Sequence, residues 1–206
     1  QAEDYLMRAS DLYEAMKEME SVQEVQNKLM VIFSQPKYLE SRKQQIREAL
    51  KKPEVEKDSK LKLTLLSDLG NVSFMANDWD EAQEVAKETI SIHEKSGDKA
   101  ALSSSLGNLG SILMQKQDFA GSEENYTRAI ELKQELQDHK GIQDIYGSYL
   151  NVLIMAGKMD VAEKMVKKTL KAHQDNDNLP GVMSEYRNLG NISLQKTDWF
   201  NAEKNY

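Results

Sequence analysis

The feature that most constrains this chain is a fixed register. Leu69-Gly70-Asn71, Leu109-Gly110-Ser111, Tyr149-Leu150-Asn151 and Leu189-Gly190-Asn191 follow one another at intervals of 40 residues, with no insertion or deletion. On the same ruler lie Asp78-Trp79, Asp118-Phe119, Lys158-Met159 and Asp198-Trp199. They are followed by Ala82, Ser122, Ala162 and Ala202, and then by Ala86, Tyr126, Val166 and Tyr206. A repeat of about 20–50 residues marks stacked architectures, in which one unit cannot bury its apolar face alone. Such a chain folds by piling copies side by side rather than around one central core.

Each copy reads as two helices. Only 3 prolines and 10 glycines interrupt a sequence dominated by strong helix formers, so the fold class is all-α. Helix A, near residues 60–76, carries Leu66, Leu69 and Ser73 at helical spacing; helix B, near 80–94, carries Ala82, Val85, Ala86, Thr89 and Ile90. Small residues at Gly70 and Ala82 suit close helix approach. Turns are expected at 77–78, 117–118, 157–158 and 197–198, and stops between copies at 96–98, 137–138 and 175–180. This divides the chain into diverged helices at 1–58 and a regular array at 59–206, with copies at 59–98, 99–138, 139–178 and a truncated 179–206. Moving back 40 residues places Leu29, Ile46, Ala49 and Leu50 on the positions of Leu69, Ala86, Thr89 and Ile90. Ser21-Val22-Gln23-Glu24 has the form of a capping box, and Pro36 and Pro53 are expected in turns. A coiled coil over 4–33 stays open, since Tyr5, Ala9, Leu12, Met16 and Met19 keep heptad spacing. The chain begins and ends near the same point of the repeat, as an excerpt of a longer array would.

The Leu-Gly within helix A, the Ala that opens helix B, the aromatics at Tyr126 and Tyr206 and the small Ala129 together resemble the tetratricopeptide repeat. The usual unit is about 34 residues, so this is a longer version. In that respect it is similar to the repeats of kinesin light chains, G-protein-signalling modulator adaptors and bacterial Rap-type regulators. The resemblance implies a right-handed superhelical solenoid of antiparallel helix pairs that holds an extended peptide or partner protein in a concave groove.

The residues themselves point to the same wall. Opposite the apolar stripe of helix A run Thr64, Asp68, Asn71 and Met75, then Ser104, Asn108, Ser111 and Gln115. The third and fourth copies supply Asp144, Ser148, Asn151 and Met155, then Ser184, Asn188, Asn191 and Gln195. Mid-helix Asn costs up to ~0.7 kcal/mol relative to Ala, so its recurrence asks for a reason. A side-chain amide both donates and accepts, so a ladder of them suits a peptide backbone; the alternative is that these side chains only meet water or a neighbouring helix. Only Arg187 is basic on this wall, beside Asp68 and Asp144, so a neutral or basic segment is the expected ligand. Phe74, Met114, Ile154 and Leu194 are assigned to the core by their periodicity.

Other classes find little in the residues. There are no cysteines, hence no thiolate chemistry. Three scattered histidines, with His93 and His173 read as solvated helix ends, suggest neither metal nor general base. No phosphate loop or nucleophile elbow occurs, so no cofactor and no enzyme is expected. A net charge of −7 argues against nucleic acid and anionic lipid. The longest apolar runs fall far short of the ~20 residues of a membrane span, and a cytoplasmic location is expected. Two alternatives to a binding scaffold remain: a ligand-sensing domain controlling an attached effector, and end-to-end self-association through the half-copy at 201–206.

Overall fold

The computed structural model describes Val25, Asn27 and residues 31–205, which contain helices and no strand. The helices are α1 (Pro36–Leu50), α2 (Pro53–Lys57), α3 (Ser59–Met75), α4 (Trp79–Ser96), α5 (Lys99–Gln115), α6 (Phe119–Glu135), α7 (His139–Met155), α8 (Met159–Asp175), α9 (Leu179–Gln195) and α10 (Trp199–Asn205). The A helices α3, α5, α7 and α9 begin 40 residues apart, as the register predicts. The B helices start one residue earlier than expected, at Trp79, Phe119, Met159 and Trp199.

The turns and the stops turn out to be one device repeated every 20 residues. Positions 77, 97, 117, 137, 157, 177 and 197 all have positive φ, between 51° and 73°, and only Gly97 and Gly157 are glycine. After each such residue but Gly157 comes a polar cap. The Asn77 N–H donates to the Phe74 carbonyl at 3.1 Å and the Asp78 N–H to the Ser73 carbonyl at 2.9 Å, a Schellman closure of α3. Asp78 then opens α4, its Oδ1 accepting the Glu81 N–H at 3.2 Å. Asp118, Asp138, Asn178 and Asp198 likewise accept the N–H three residues on. One residue thus ends one helix and starts the next.

The chain divides into two compact units, residues 1–92 and 93–206. In the first, Ile46 of α1, Leu66 and Leu69 of α3 and Val85 of α4 form a core, flanked by Leu50, Leu65, Val72 and Ile92. Ile46 therefore sits on the inward position that the 40-residue offset assigned to it. Pro36 and Pro53 are not in turns. Each occupies the first turn of a helix, α1 and α2 respectively, where the missing N–H costs nothing. The capping-box segment 21–24 lies outside the described residues, as does the heptad pattern of 4–33 except at Val25, Asn27 and 31–33.

In the second unit, Leu150 and Leu153 of α7, Ala162, Val166 and Leu170 of α8 and Leu189 and Ile192 of α9 form a continuous core. The position opening helix B is sealed in every copy: Ala82, Ser122 and Ala162 are fully buried and Ala202 nearly so. Volume is traded between paired positions. The fully buried Tyr126 lies so close to Gly110 that a Cβ there would sit 3.0 Å from its ring. In the next copy the pair is Leu150 and Val166, the bulk moved from helix B to helix A. Phe74 and Leu194, expected in the core, are 37% and 36% exposed. They fall in the last turn of helix A, beyond full cover by helix B; Phe74 packs edge-on to Trp79, ring centres 5.0 Å apart.

Candidate functional site

None of the seventeen stripe residues is buried. In the first unit Thr64, Asn71 and Met75 are exposed and Asp68 is half-buried, 3.9 Å from Arg42. In the second unit Ser104, Asn108, Gln115, Asp144, Asn151, Met155, Arg187, Asn191 and Gln195 are exposed, while Ser111, Ser148, Ser184 and Asn188 are half-buried. The asparagines are therefore not sealed between helices. Their company differs, however. Thr64 and Ser104 donate back to the carbonyls of Lys60 and Ala100 on their own helices. Ser111 pairs with the Tyr126 hydroxyl at 2.7 Å and so steadies the core beneath it. Asn188 donates to Glu185 Oε2 at 3.0 Å. The side chains of Asn71, Asn108 and Asn151 make no hydrogen bond to any described residue.

A groove of about 410 Å³ opens in the second unit. Gln143, Tyr146, Gly147 and Leu150 of α7 form one wall, and Gly181, Ser184, Glu185 and Asn188 of α9 the other. Met165, Val166, Thr169 and His173 of α8 form the floor. Ser184 and Asn188 are the stripe residues it gathers; Asp144, Ser148 and Asn151 lie on a neighbouring face of α7 and do not line it. The periodicity argument missed Tyr146 and Glu185, because they stand where a repeat places core residues.

His173 is not the solvated helix end that the sequence suggests. It is 9% exposed, since the following cap folds over it. Asn178 uses its Oδ1 to accept the Gly181 N–H, so its amide nitrogen faces His173 Nδ1 at 2.9 Å. Nδ1 must then accept, and the ring hydrogen sits on Nε2, 3.9 Å from Glu185 Oε1; the tautomer follows from this network. Burial, helped by Tyr149 and Glu185, holds the Tyr146 hydroxyl above its ordinary pKa of 10.0, so it stays a neutral donor.

The first unit carries a charge cluster of a different kind. Lys43, its side chain only 4% exposed, reaches Asp78 at 2.7 Å, Glu40 at 3.2 Å and Glu81 at 3.2 Å. Arg47 grips Glu81 at 2.6 Å, and Ser73 donates to the same carboxylate at 2.8 Å. Burial would lower the lysine pKa, but its hydrogen bonds to Asp78, Glu40 and Glu81 outweigh that and raise it. The hydrogen bond from Lys43 holds Asp78 below its ordinary value. For Glu81 burial acts upward and is overcome by Arg47, Ser73 and Lys43. The charges here are matched to one another, so the cluster ties α1 to the α3–α4 turn. Among the described residues no group of three or more His, Cys, Asp or Glu could hold a metal, and no helix is long and apolar enough to cross a membrane.

Comparison with known proteins identifies one of the repeats. Residues 63–96 match the family model of the tetratricopeptide repeat. No curated protein matches the chain in sequence. Among solved structures, BtubC (BKLC) from P. vanneervenii is similar with a TM-score of 0.67 at 17% identity, covering 98% of this chain and 86% of that one. A Podosopora anserina protein of the kinesin light chain type, built of nearly identical TPR-like repeats, gives a TM-score of 0.66 at 12% identity. That match covers 98% of this chain and 92% of the other. At such identities the likeness shows the fold, a stack of TPR-like helix pairs.

Proposed function

From the premise that this chain is a tetratricopeptide-like repeat protein, we propose that it is a non-enzymatic interaction module. Its second unit holds an extended segment of a partner protein against the exposed polar stripe of α5, α7 and α9. Repeats of this kind generally mediate contacts between proteins, and the finer reading rests on one observation. Asn108 and Asn151 keep their side-chain amides in the open with no hydrogen bond to any described residue, at a helical cost the fold itself does not recover. An amide so placed can both donate to and accept from a peptide backbone.

The test is a displayed library of extended peptides selected on the intact chain, followed by affinity measurement. The double variant Asn108→Ala/Asn151→Ala removes two neutral hydrogen-bonding groups at about 0.5–1.5 kcal/mol each. It should weaken the selected peptides about tenfold with unchanged helicity. Peptides bound equally well by the variant would dismiss the stripe as the docking wall.

A further inference from the structure

The α7–α9 groove contains a carboxylate that the rest of the molecule would have neutralised. Among the described residues the half-buried glutamates are otherwise matched by cations: Glu81, 20% exposed, by Lys43 and Arg47; Glu123, 23%, by Lys158; Glu163, 31%, by Lys167 and Lys196; Asp198, a helix cap, has the Asn201 amide instead. Glu185 is more buried than any of these glutamates, at 13%. Its partners are the neutral amide of Asn188 and the ring of His173 at 3.9 Å, beyond hydrogen-bond reach. No Lys or Arg lines the groove. A carboxylate drawn this far from water is costly without a counter-charge.

The position makes the departure plain. Along the 40-residue register Glu185 stands where the other copies have Leu65, Ser105 and Ile145, the last two buried. Tyr146, across the groove, stands where Leu66 and Leu106 are 1% and 2% exposed. A tyrosine recurs one copy on at Tyr186, but a charge at the 185 position occurs in this copy alone among the four, and Glu185 and Tyr146 line the same space. Leu150, Met165 and Val166 supply an apolar floor for a methylene stem, and an aromatic ring attracts a cation.

We propose that this groove is the subsite for one arginine or lysine side chain of the bound segment, with the Glu185 carboxylate as its counter-ion. The inference rests on the peptide-binding reading and gives it a specificity-determining position.

The probe is N-acetyl-arginine amide, titrated into the intact chain while the backbone amide signals of Gly147, Gly181, Glu185 and Asn188 are followed by NMR. Saturable shifts confined to these residues are expected, with a Kd of about 1 mM or weaker for so small a ligand. In Glu185→Gln the affinity should fall about tenfold, and N-acetyl-norleucine amide, with a stem but no charge, should give no saturable shift. Equal responses to the two probes, or equal affinities in wild type and Glu185→Gln, overturn the proposal. Glu185→Leu, carrying the residue of position 65, should fold with an unchanged or higher unfolding midpoint and lose the arginine response. A lowered midpoint in both Glu185 variants would make Glu185 a structural residue and also overturn it. The wider reading fails separately. If selected peptides ignore Glu185→Gln and show no fixed basic position, only the subsite is lost. If the arginine probe binds while Asn108→Ala/Asn151→Ala leaves peptide affinity intact, only the stripe is lost.

Discussion

Lys43 shows how much one residue can carry when a repeat diverges. Its position aligns with Gln83 and Glu123 of the regular copies, yet it is nearly sealed and makes three carboxylate contacts. Lys43→Met should cost about 2 kcal/mol at neutral pH, a value reduced from that of a fully buried pair because Asp78 and Glu81 keep some access to water. The pH dependence has a definite sign. Asp78 and Glu81 are held below their ordinary values of 3.8 and 4.5, so the unfolded chain binds more protons than the folded one in that range. Their stabilisation is complete above about pH 5.5 and is lost as the pH falls through about 4.5 toward the depressed native values. Denaturant unfolding read by Trp79 fluorescence in a Trp199→Phe background should therefore show the wild-type advantage over Lys43→Met shrinking between pH 7 and pH 3. An advantage that persisted at pH 3 would mean that Lys43 acts through packing rather than charge.

At the scale of helices the 20-residue link decides stability. Six of the seven turns after α3 to α9 carry a side-chain cap, and the turn into α8 does not, because Lys158 occupies the cap position. Asp118→Ala should lower stability by about 1 kcal/mol. Lys158→Asn should raise it by about 0.5 kcal/mol, the gain of a cap less the loss of the exposed pair with Glu123. Thermal unfolding of both variants checks the pair, and shifts of the same sign would refute a capping role. The caps were visible in the sequence as Asp78, Asp118 and Asp198, read there as turn formers. Their equivalence to Asp98, Asp138 and Asn178 is not legible in the sequence, because helix A and helix B share no side-chain pattern and only the backbone treats the two junctions alike.

For the whole molecule, net charge bears on the proposed partner. The chain carries −7, and in the second unit the stripe exposes one acid, Asp144, and one base, Arg187. A basic peptide should therefore be steered electrostatically. Raising ionic strength from about 0.01 M to about 1 M shortens the screening length from about 30 Å to about 3 Å. Stopped-flow association of a library-selected basic peptide should slow at least tenfold over that range, with much less change in dissociation, while a neutral peptide stays nearly constant. Matching salt responses for both peptides would count against charge-based selection.

The residues alone determined the helix pairs, their 40-residue register and the face each helix turns inward, because the spacing of Leu, Ile, Val and small side chains admits one solution at helical pitch. They also marked the stripe on which Asn71, Asn108 and Asn151 stand exposed. What the tertiary structure alone decided is where that pattern is broken to effect. Glu185, Tyr146 and His173 sit at positions that periodicity assigns to core or to solvent. Their meeting in one groove depends on α7, α8 and α9 packing at side-chain distance, a relation between residues 27 and 39 positions apart that no local period encodes.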